Sequence, residues 1–306
     1  MRIQTLMNDG EQLKDVMEEF INFKVACKVK SRTLIDYRLS FNKFLVFHGN
    51  SLEYNDIKKS VLEFFNKIPD TSPAIYNIPY GNLNALFNWM VKAEYITKNP
   101  IKDIGLTKRK DRETIHSATI DDIKKLLTVC DKKSFTGLRN YTAILLMLDT
   151  GIRTSELCRL EKSDYNRADG SIVITKDKAK SRKERIIYIS STTGTALNRY
   201  MRYLPNEVSY LFPSRDCHML TTNNLDKEFR KLCDKAGVKL TPYQLRHSFA
   251  TYFVQNGGNI FVLQQLMGHS DLRITKRYTD ISEEQKKSAH SNYSPLRCLE
   301  KNKRIV

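Results

Sequence analysis

Four short segments of the chain carry side chains that could act together on a phosphate group. They read T-G-I-R-T-S-E-L at 150–157, K-S-R-K-E-R at 180–185, T-P-Y-Q-L-R-H at 241–247 and L-M-G-H-S at 266–270. The candidate side chains are Arg153, Lys180, Arg246, His269 and Tyr278. A guanidinium group can hold two phosphate oxygens at once, and an activated phenol can attack phosphorus. The set predicts chemistry on a DNA backbone that needs neither a metal nor a nucleotide cofactor.

The individual side chains leave alternatives open. Tyr243 and Arg246 are three residues apart, so they share one helix face, but His247 lies four residues from Tyr243 and is not excluded by spacing. A phenol with an ordinary pKa of about 10 must lose its proton before it attacks, which nearby cations would favour. A lysine on a loop can protonate a leaving alkoxide. Several lysines between residues 176 and 183 compete for that role.

Charge favours a polyanionic partner. The chain of 306 residues has 51 lysines and arginines against 34 acidic residues, a net charge of +17. Such an excess is most simply explained by nucleic acid. An anionic membrane surface is the rival interpretation, but no long polybasic amphipathic helix stands out. The hydrophobic content of 41% is sufficient for folded cores.

The cysteines indicate a reducing compartment. Six cysteines occur, none in a C-x-x-C pair, and their spacing suits neither a zinc ribbon nor a small disulfide framework. Isolated thiols of this kind are typical of the cytoplasm. No signal peptide is recognisable at the N-terminus, and no apolar stretch approaches 18 residues, so we expect no membrane span.

Hydrophobic periodicity predicts helices through residues 1–100. The first helix has Leu13, Val16, Met17 and Phe20 at i, i+3, i+4 and i+7, and three further segments repeat the pattern. Aromatic stripes at this spacing are typical of a packed core. The sequence therefore predicts a compact helical domain over residues 1–100.

A basic linker over residues 101–116 separates this domain from a second one over 117–290. The second domain is predicted to be mainly helical, with two strands at 171–175 and 185–189 joined by a charged loop. A helix is predicted to begin at Thr241 and Pro242 and to end at Gly257–Gly258. The linker and the loop supply the candidate DNA-binding residues, which are Lys108, Arg109, Lys110, Arg112, Lys176, Lys178, Arg182 and Lys183.

Taken together, the order and spacing of these segments resemble the tyrosine recombinase (phage integrase) family. The resemblance rests on a specific pattern, which reads T-G-I-R-x-x-E-L, then a lysine hairpin, then L-R-H-S-F-A-T and then L-M-G-H-S-x-L-x-x-T-x-x-Y. The similarity extends over about residues 10–290. The resemblance implies a mainly α fold with a small antiparallel β-sheet. It further implies an N-terminal helical core-binding (SAM-like) domain and a catalytic domain that form a C-shaped clamp around duplex DNA.

The resemblance also implies a role for each candidate. Arg153 and Arg246 would bind the scissile phosphate, Lys180 would be the general acid, and His269 would occupy the family's second histidine position. Tyr278 would form a 3′-phosphotyrosyl link and release a 5′-hydroxyl. The chain departs from the family at Tyr243, where a histidine is usual. Because a phenol is a poor base near neutral pH, loss of the imidazole would slow cleavage by ~10²–10⁴-fold if that imidazole helps deprotonate the nucleophile.

Three functions follow from these observations. The principal hypothesis is a site-specific recombinase that acts on double-stranded DNA, self-associates on it and uses the basic tail at 291–306 to dock on a neighbouring protomer. A regulator, such as a phage repressor that keeps the fold but has lost or weakened strand exchange, is the main alternative. A topoisomerase-like enzyme that only relaxes DNA is the third. The sequence does not distinguish integration, excision, resolution or transposon movement.

Overall fold

The computed structural model describes residues 12–109 and 116–268, together with residues 287 and 290. The chain divides into two compact units between Thr114 and Ile115. Within the described ranges, no helix is both long and apolar enough to cross a membrane. Both units are dominated by helices, and one small antiparallel sheet lies in the second unit. The predicted fold class is confirmed.

The first unit contains five described helices. They are α1 (Leu13–Ala26), α2 (Ser31–His48), α3 (Tyr54–Lys67), α4 (Pro73–Lys92) and α5 (Pro100–Ile104). The aromatic stripes predicted from the sequence face inward, and Phe44 stands at their centre, with its ring 5.5 Å from that of Phe64 and 6.0 Å from that of Phe87. Aromatic side chains bury large apolar areas and pack edge to face, so they dominate the stability of a small helical core.

The short helix α5 occupies the start of the predicted linker. Asn99 caps it, Pro100 begins it, and the side chain of Ile101 is fully buried in the core of the first unit. Gly105 ends the helix in the left-handed conformation (φ +81°) that glycine adopts readily. Residues 101–109 therefore pack on the first unit, whereas the sequence interpretation placed them in a linker. This helix was not predicted from the sequence, because polar and charged residues surround its single buried isoleucine.

The second unit combines seven described helices with one small sheet. Its helices are α6 (Ile120–Thr128), α7 (Phe135–Thr150), α8 (Thr154–Leu157), α9 (Ser191–Met201), α10 (Thr222–Ala236), α11 (Pro242–Gln255) and α12 (Ile260–Met267). The strands are β1 (Tyr165–Asn166), β2 (Ser171–Ile174) and β3 (Arg185–Tyr188), antiparallel in the order β1-β2-β3, and a 3-10 turn at Lys162–Asp164 precedes β1. In the β2–β3 register, Ile172 faces Ile187 and Ile174 faces Arg185.

Close packing between the end of α7 and α11 brings two predicted site residues into one region. Gly151 ends α7 with φ +62°, and a Cβ added there would lie 2.4 Å from a ring carbon of Phe249 on α11. Only glycine permits this approach without displacing the ring. The contact sets Arg153, two residues beyond the glycine, beside the face of α11 that carries Arg246.

Candidate active site

Arg153 lies in the turn between α7 and α8. It occupies the N-cap position of α8, and its side chain is 20% exposed. One terminal nitrogen donates to Oε1 of Glu156 at 3.0 Å, and the other donates to the carbonyl oxygen of Gly268 at 3.0 Å. These bonds hold the guanidinium in one orientation while leaving part of it accessible from solvent, as binding of a phosphate requires.

Glu156 is the centre of the cluster. Its carboxylate is fully buried, and besides Arg153 it accepts hydrogen bonds from both terminal nitrogens of Arg185 at 3.2 and 2.6 Å and from the backbone N–H of Lys180 at 3.4 Å. Burial alone would raise the pKa of Glu156, but the hydrogen bond and charge of Arg185 and the charge of Arg153 outweigh it and lower the pKa. The carboxylate therefore stays ionised and joins α8, β3 and the lysine loop.

Arg246 is buried beneath the same cluster. Only 6% of the residue is exposed, and its guanidinium donates to the carbonyl oxygen of Gly151 and, at 2.9 Å, to that of Met267. It lies on α11, whose start is fixed by a reciprocal pair of bonds between Thr241 and Gln244. The capping residue and the proline that follows it were both predicted from the sequence.

Three arginines meet the C-terminal end of α12. Arg185, Arg246 and Arg153 donate in turn to the carbonyl oxygens of residues 266, 267 and 268, over 2.8, 2.9 and 3.0 Å. The last carbonyls of a helix have no partner within it and carry its partial negative charge, so cationic donors stabilise them. The carbonyl oxygens at the end of α12 thus hold the three guanidinium groups close together. His269 is the next residue in the sequence.

The lysine loop between β2 and β3 presents Lys180 to solvent. Its backbone is tied to Glu156, but its side chain is exposed and makes no ion pair within the described residues. Lys176, Arg182 and Lys183 are exposed on the same loop, as a contact with DNA requires. The backbone of Lys180 is thus held at the arginine cluster, and three further cations are exposed on the same loop.

Lys178, a predicted DNA-binding residue, is buried and paired with acidic side chains. Its side chain is 10% exposed, and its ammonium donates to Asp164 at 2.7 and 2.9 Å and to Glu161 at 3.2 Å. Burial lowers the pKa of Lys178, but the hydrogen bonds and charges of the two carboxylates outweigh it and raise the pKa. The ammonium group donates its hydrogen bonds to two internal carboxylates and therefore has no donor free for a phosphate. Its raised pKa also makes it a poor proton donor.

Two of the candidate DNA-binding residues in the predicted basic linker, Lys108 and Arg109, lie within the described residues. Lys108 is exposed, but Arg109 pairs with Asp70 at 2.9 Å and stacks its guanidinium over the ring of Tyr76 at 4.3 Å. Its backbone also exchanges two 2.9 Å hydrogen bonds with the side chain of Asn77. Arg109 is therefore fastened to the first unit. Lys110 and Arg112 lie outside the described residues.

Tyr243 stands at the exposed beginning of α11. The residue is 50% exposed and lines a cavity of about 320 Å³ together with Thr154, which follows Arg153, and Arg230 of α10. Tyr243 is exposed, whereas Arg246 is buried, so the two side chains do not share one helix face as their spacing had predicted. His269 and Tyr278, and the tail at 291–306, lie outside the described residues, so their roles stay predictions.

Sequence reasoning missed two residues of this site. Arg185 lies in the quoted K-S-R-K-E-R segment and Glu156 in T-G-I-R-T-S-E-L, yet neither was assigned a role. A useful signal was present, because Glu156 lies between the buried helix α7 and the apolar residues Leu157 and Cys158, and a buried carboxylate requires cationic partners. The strand position of Arg185, opposite Ile174, supplies one of them.

Comparison with known proteins identifies the family. The tyrosine recombinase XerD of Listeria innocua is 25% identical over 301 residues, covering 92% of this chain and 99% of the relative. The tyrosine recombinase XerA of Pyrococcus horikoshii is 29% identical over 286 residues, covering 90% and 93%.

Two solved structures share the fold. The Tn1549 transposon integrase in complex with transposon right end DNA has a TM-score of 0.73 and 20% identity, with coverage of 91% of this chain and 98% of that chain. A lambda integrase dimer bound to a COC′ core site has a TM-score of 0.73 and 17% identity, with coverage of 86% and 97%. The phage integrase family matches residues 117–285, more than half of the sequence and the whole of the arginine cluster. This chain is a member of the phage integrase family.

Proposed function

We propose that this chain is a site-specific DNA recombinase that cuts and rejoins duplex DNA through a covalent bond to Tyr278. The observation that carries the proposal is the convergence of Arg153, Arg185 and Arg246 around one buried carboxylate and one helix end. Three cations from distant parts of the sequence are held together there, beside an exposed lysine. A single backbone phosphate is the ligand that such a cluster suits.

The chemistry follows from the roles of the groups. Arg153 and Arg246 would hold the non-bridging oxygens of the scissile phosphate and stabilise the charge that develops on them. The phenol of Tyr278, having lost its proton, attacks phosphorus, so that an O–P bond forms and the bond from phosphorus to the 5′-oxygen breaks. Lys180 gives a proton to that oxygen as it leaves. Rejoining is the reverse attack by the 5′-hydroxyl, which conserves the bond energy.

Tyr243 fits this scheme as a hydrogen-bond donor. Its exposed phenol lies at the cavity that also contains Thr154 and is therefore accessible to a phosphate on that side of the site. A phenol can donate to a phosphate oxygen but accepts a proton poorly near neutral pH. We expect the enzyme to be slower than one with an imidazole in this position, and to remain active.

Double-stranded DNA is the proposed partner, and self-association on DNA is the proposed assembly. The net charge of +17 and the exposed cations of the lysine loop support binding to phosphates. Dimers and DNA complexes are known for the integrases that share the fold. The tail at 291–306 contains Arg297, Lys301, Lys303 and Arg304 and is the proposed docking segment.

The test is capture of the covalent intermediate. A binding site is first selected from a random duplex library, and its affinity should fall with salt with a slope near −0.9 per neutralised phosphate. The site is then nicked next to the scissile position, so that a cleaved fragment diffuses away and the protein–DNA adduct accumulates on a denaturing gel.

An adduct that is absent in Tyr278→Phe supports the recombinase. Tight, site-specific binding without any adduct, even after long incubation, would instead support a regulator. Relaxation of supercoiled DNA without a recombinant product would favour a topoisomerase-like activity.

A further inference from the structure

The buried ion pairs of Lys178 lie at the base of the loop that presents Lys180. The loop spans residues 175–184, and its only ammonium directed inward is that of Lys178, within the described residues. Its partners belong to the 3-10 turn before β1 and to the residue that precedes this turn; the side chain of Asp164 is buried, and that of Glu161 is 40% exposed. Asp164 is itself buried and also accepts the backbone N–H of Glu161 at 2.7 Å. The anchor point is therefore fixed independently of the loop.

The neighbouring residue strengthens the attachment. Ala179 is 2% exposed within the core cluster of the second unit, and its N–H donates to the carbonyl oxygen of Thr175 at 2.9 Å. Residue 180 follows immediately, with its N–H on Glu156. Three consecutive residues are thus fixed on the core side, by an ion pair, by apolar burial and by a backbone hydrogen bond. The exposed side chain of Lys180 starts from the end of this fixed segment.

We infer that Lys178 is a positioning residue, whose pairing with Asp164 and Glu161 sets where the ammonium of Lys180 meets the leaving 5′-oxygen. The inference rests on the proposed function, because it assumes that Lys180 is the general acid. Proton transfer requires donor and acceptor within hydrogen-bond reach, and displacement by about an ångström can cost ~10²-fold in rate. Charge alone does not explain this arrangement, since a loop that only attracted DNA would expose all of its lysines.

The experiment compares two leaving groups. A DNA substrate in which sulfur replaces the bridging 5′-oxygen releases a thiolate, which leaves without protonation because a thiol is far more acidic than an alcohol. Lys178→Met removes the charge but keeps most of the side-chain length. We expect it to slow adduct formation by about 10–100-fold on the oxygen substrate and to react close to the wild-type rate on the sulfur substrate. Lys231→Met, which removes one exposed cation on α10, should change neither rate.

The outcomes separate the positioning role from the alternatives. Equal slowing of Lys178→Met on both substrates would show that Lys178 acts through DNA binding or folding. An unchanged rate of this variant on the oxygen substrate would show that Lys178 does not contribute to the reaction. Either outcome overturns the inference. Lys180→Met should show the same rescue by sulfur, and a lack of rescue there refutes the inference while leaving cleavage by Tyr278 intact. Absence of an adduct with the wild-type chain on both substrates would overturn the proposed function itself.

Folding is controlled with a second variant. Thermal unfolding shows whether Lys178→Met retains its structure. If it does not, the same comparison is made with Lys178→Arg, which keeps the charge but moves the donor atoms. We expect a loss of about tenfold on the oxygen substrate and none on sulfur. Lack of any loss in this variant would likewise refute the inference.

Discussion

Replacing Glu156 with glutamine tests whether the buried carboxylate holds the cationic cluster together. The carboxylate accepts five hydrogen bonds. Two come from Arg153, one from its backbone N–H and one from its guanidinium; two come from the guanidinium of Arg185, and one comes from the backbone N–H of Lys180. A carboxamide has the same shape, but one of its two polar atoms is a donor, which would face the donors of an arginine. The substitution also leaves two guanidinium groups without their counter-charge.

The expected magnitude follows from the burial of the pair. Breaking a buried ion pair by removing one partner costs about 3–5 kcal/mol. For a unit of roughly 190 residues, each kcal/mol lowers Tm by about 2–4 °C. We therefore expect Tm of Glu156→Gln to fall by about 6–20 °C. Calorimetry on the full chain measures this, and Glu184→Gln, an exposed glutamate of the same loop, serves as the matched control with little expected change.

The pH dependence gives a second, independent measurement. The pKa of Glu156 is lowered in the folded state, so its contribution to stability is complete above the unfolded pKa of about 4.3 and is lost as the pH falls through the folded value. The difference in Tm between wild type and Glu156→Gln should be constant above about pH 5 and should shrink in more acidic solution. A difference in the free energy of unfolding below about 1 kcal/mol at neutral pH would refute this account of the cluster. A difference in Tm that grows on acidification would refute it as well.

Three further predictions concern other parts of the second unit and the exposed thiols. Gly151→Ala should lower the free energy of unfolding by about 1–3 kcal/mol in denaturant titrations, because its Cβ would clash with the ring of Phe249 at a positive φ; an unchanged midpoint would contradict the packing described. Burial raises the pKa of Cys158 to about 12, so at pH 8 an alkylating reagent followed by mass spectrometry should modify exposed Cys27 long before it; comparable labelling of both in the folded protein would be inconsistent with that burial. Tyr243→His should cleave nicked DNA at an equal or faster rate, measured as adduct formation over time, and a large loss would show that the phenol has a role of its own.

Local signals in the sequence predicted most of the helical framework. Thr241 and Pro242 marked the beginning of α11, and richness in β-branched residues marked β2 and β3, because caps, proline and strand propensity act over a few residues. The helix α5 was missed since it has five residues, too few for a periodic pattern. The sequence also grouped Arg153 and Arg246 as candidates for one site, and in the structure both side chains donate to carbonyl oxygens at the end of α12.

The orientation of loop side chains could not be predicted in the same way. Lys176, Lys178 and Lys180 are chemically identical and alternate along the loop, but only the middle one turns inward, because Asp164 and Glu161 lie beneath it. Those acidic residues are more than a dozen positions away, and no periodicity links them to the loop. The same holds for Arg185 and Glu156, whose pairing depends on tertiary contact.

The end of α12 couples the parts of the site mechanically. Three guanidinium groups bond to three successive carbonyls there, those of Leu266, Met267 and Gly268. Any movement of the end of α12 would therefore alter three hydrogen bonds at once, and with them the placement of Arg153, Arg185 and Arg246.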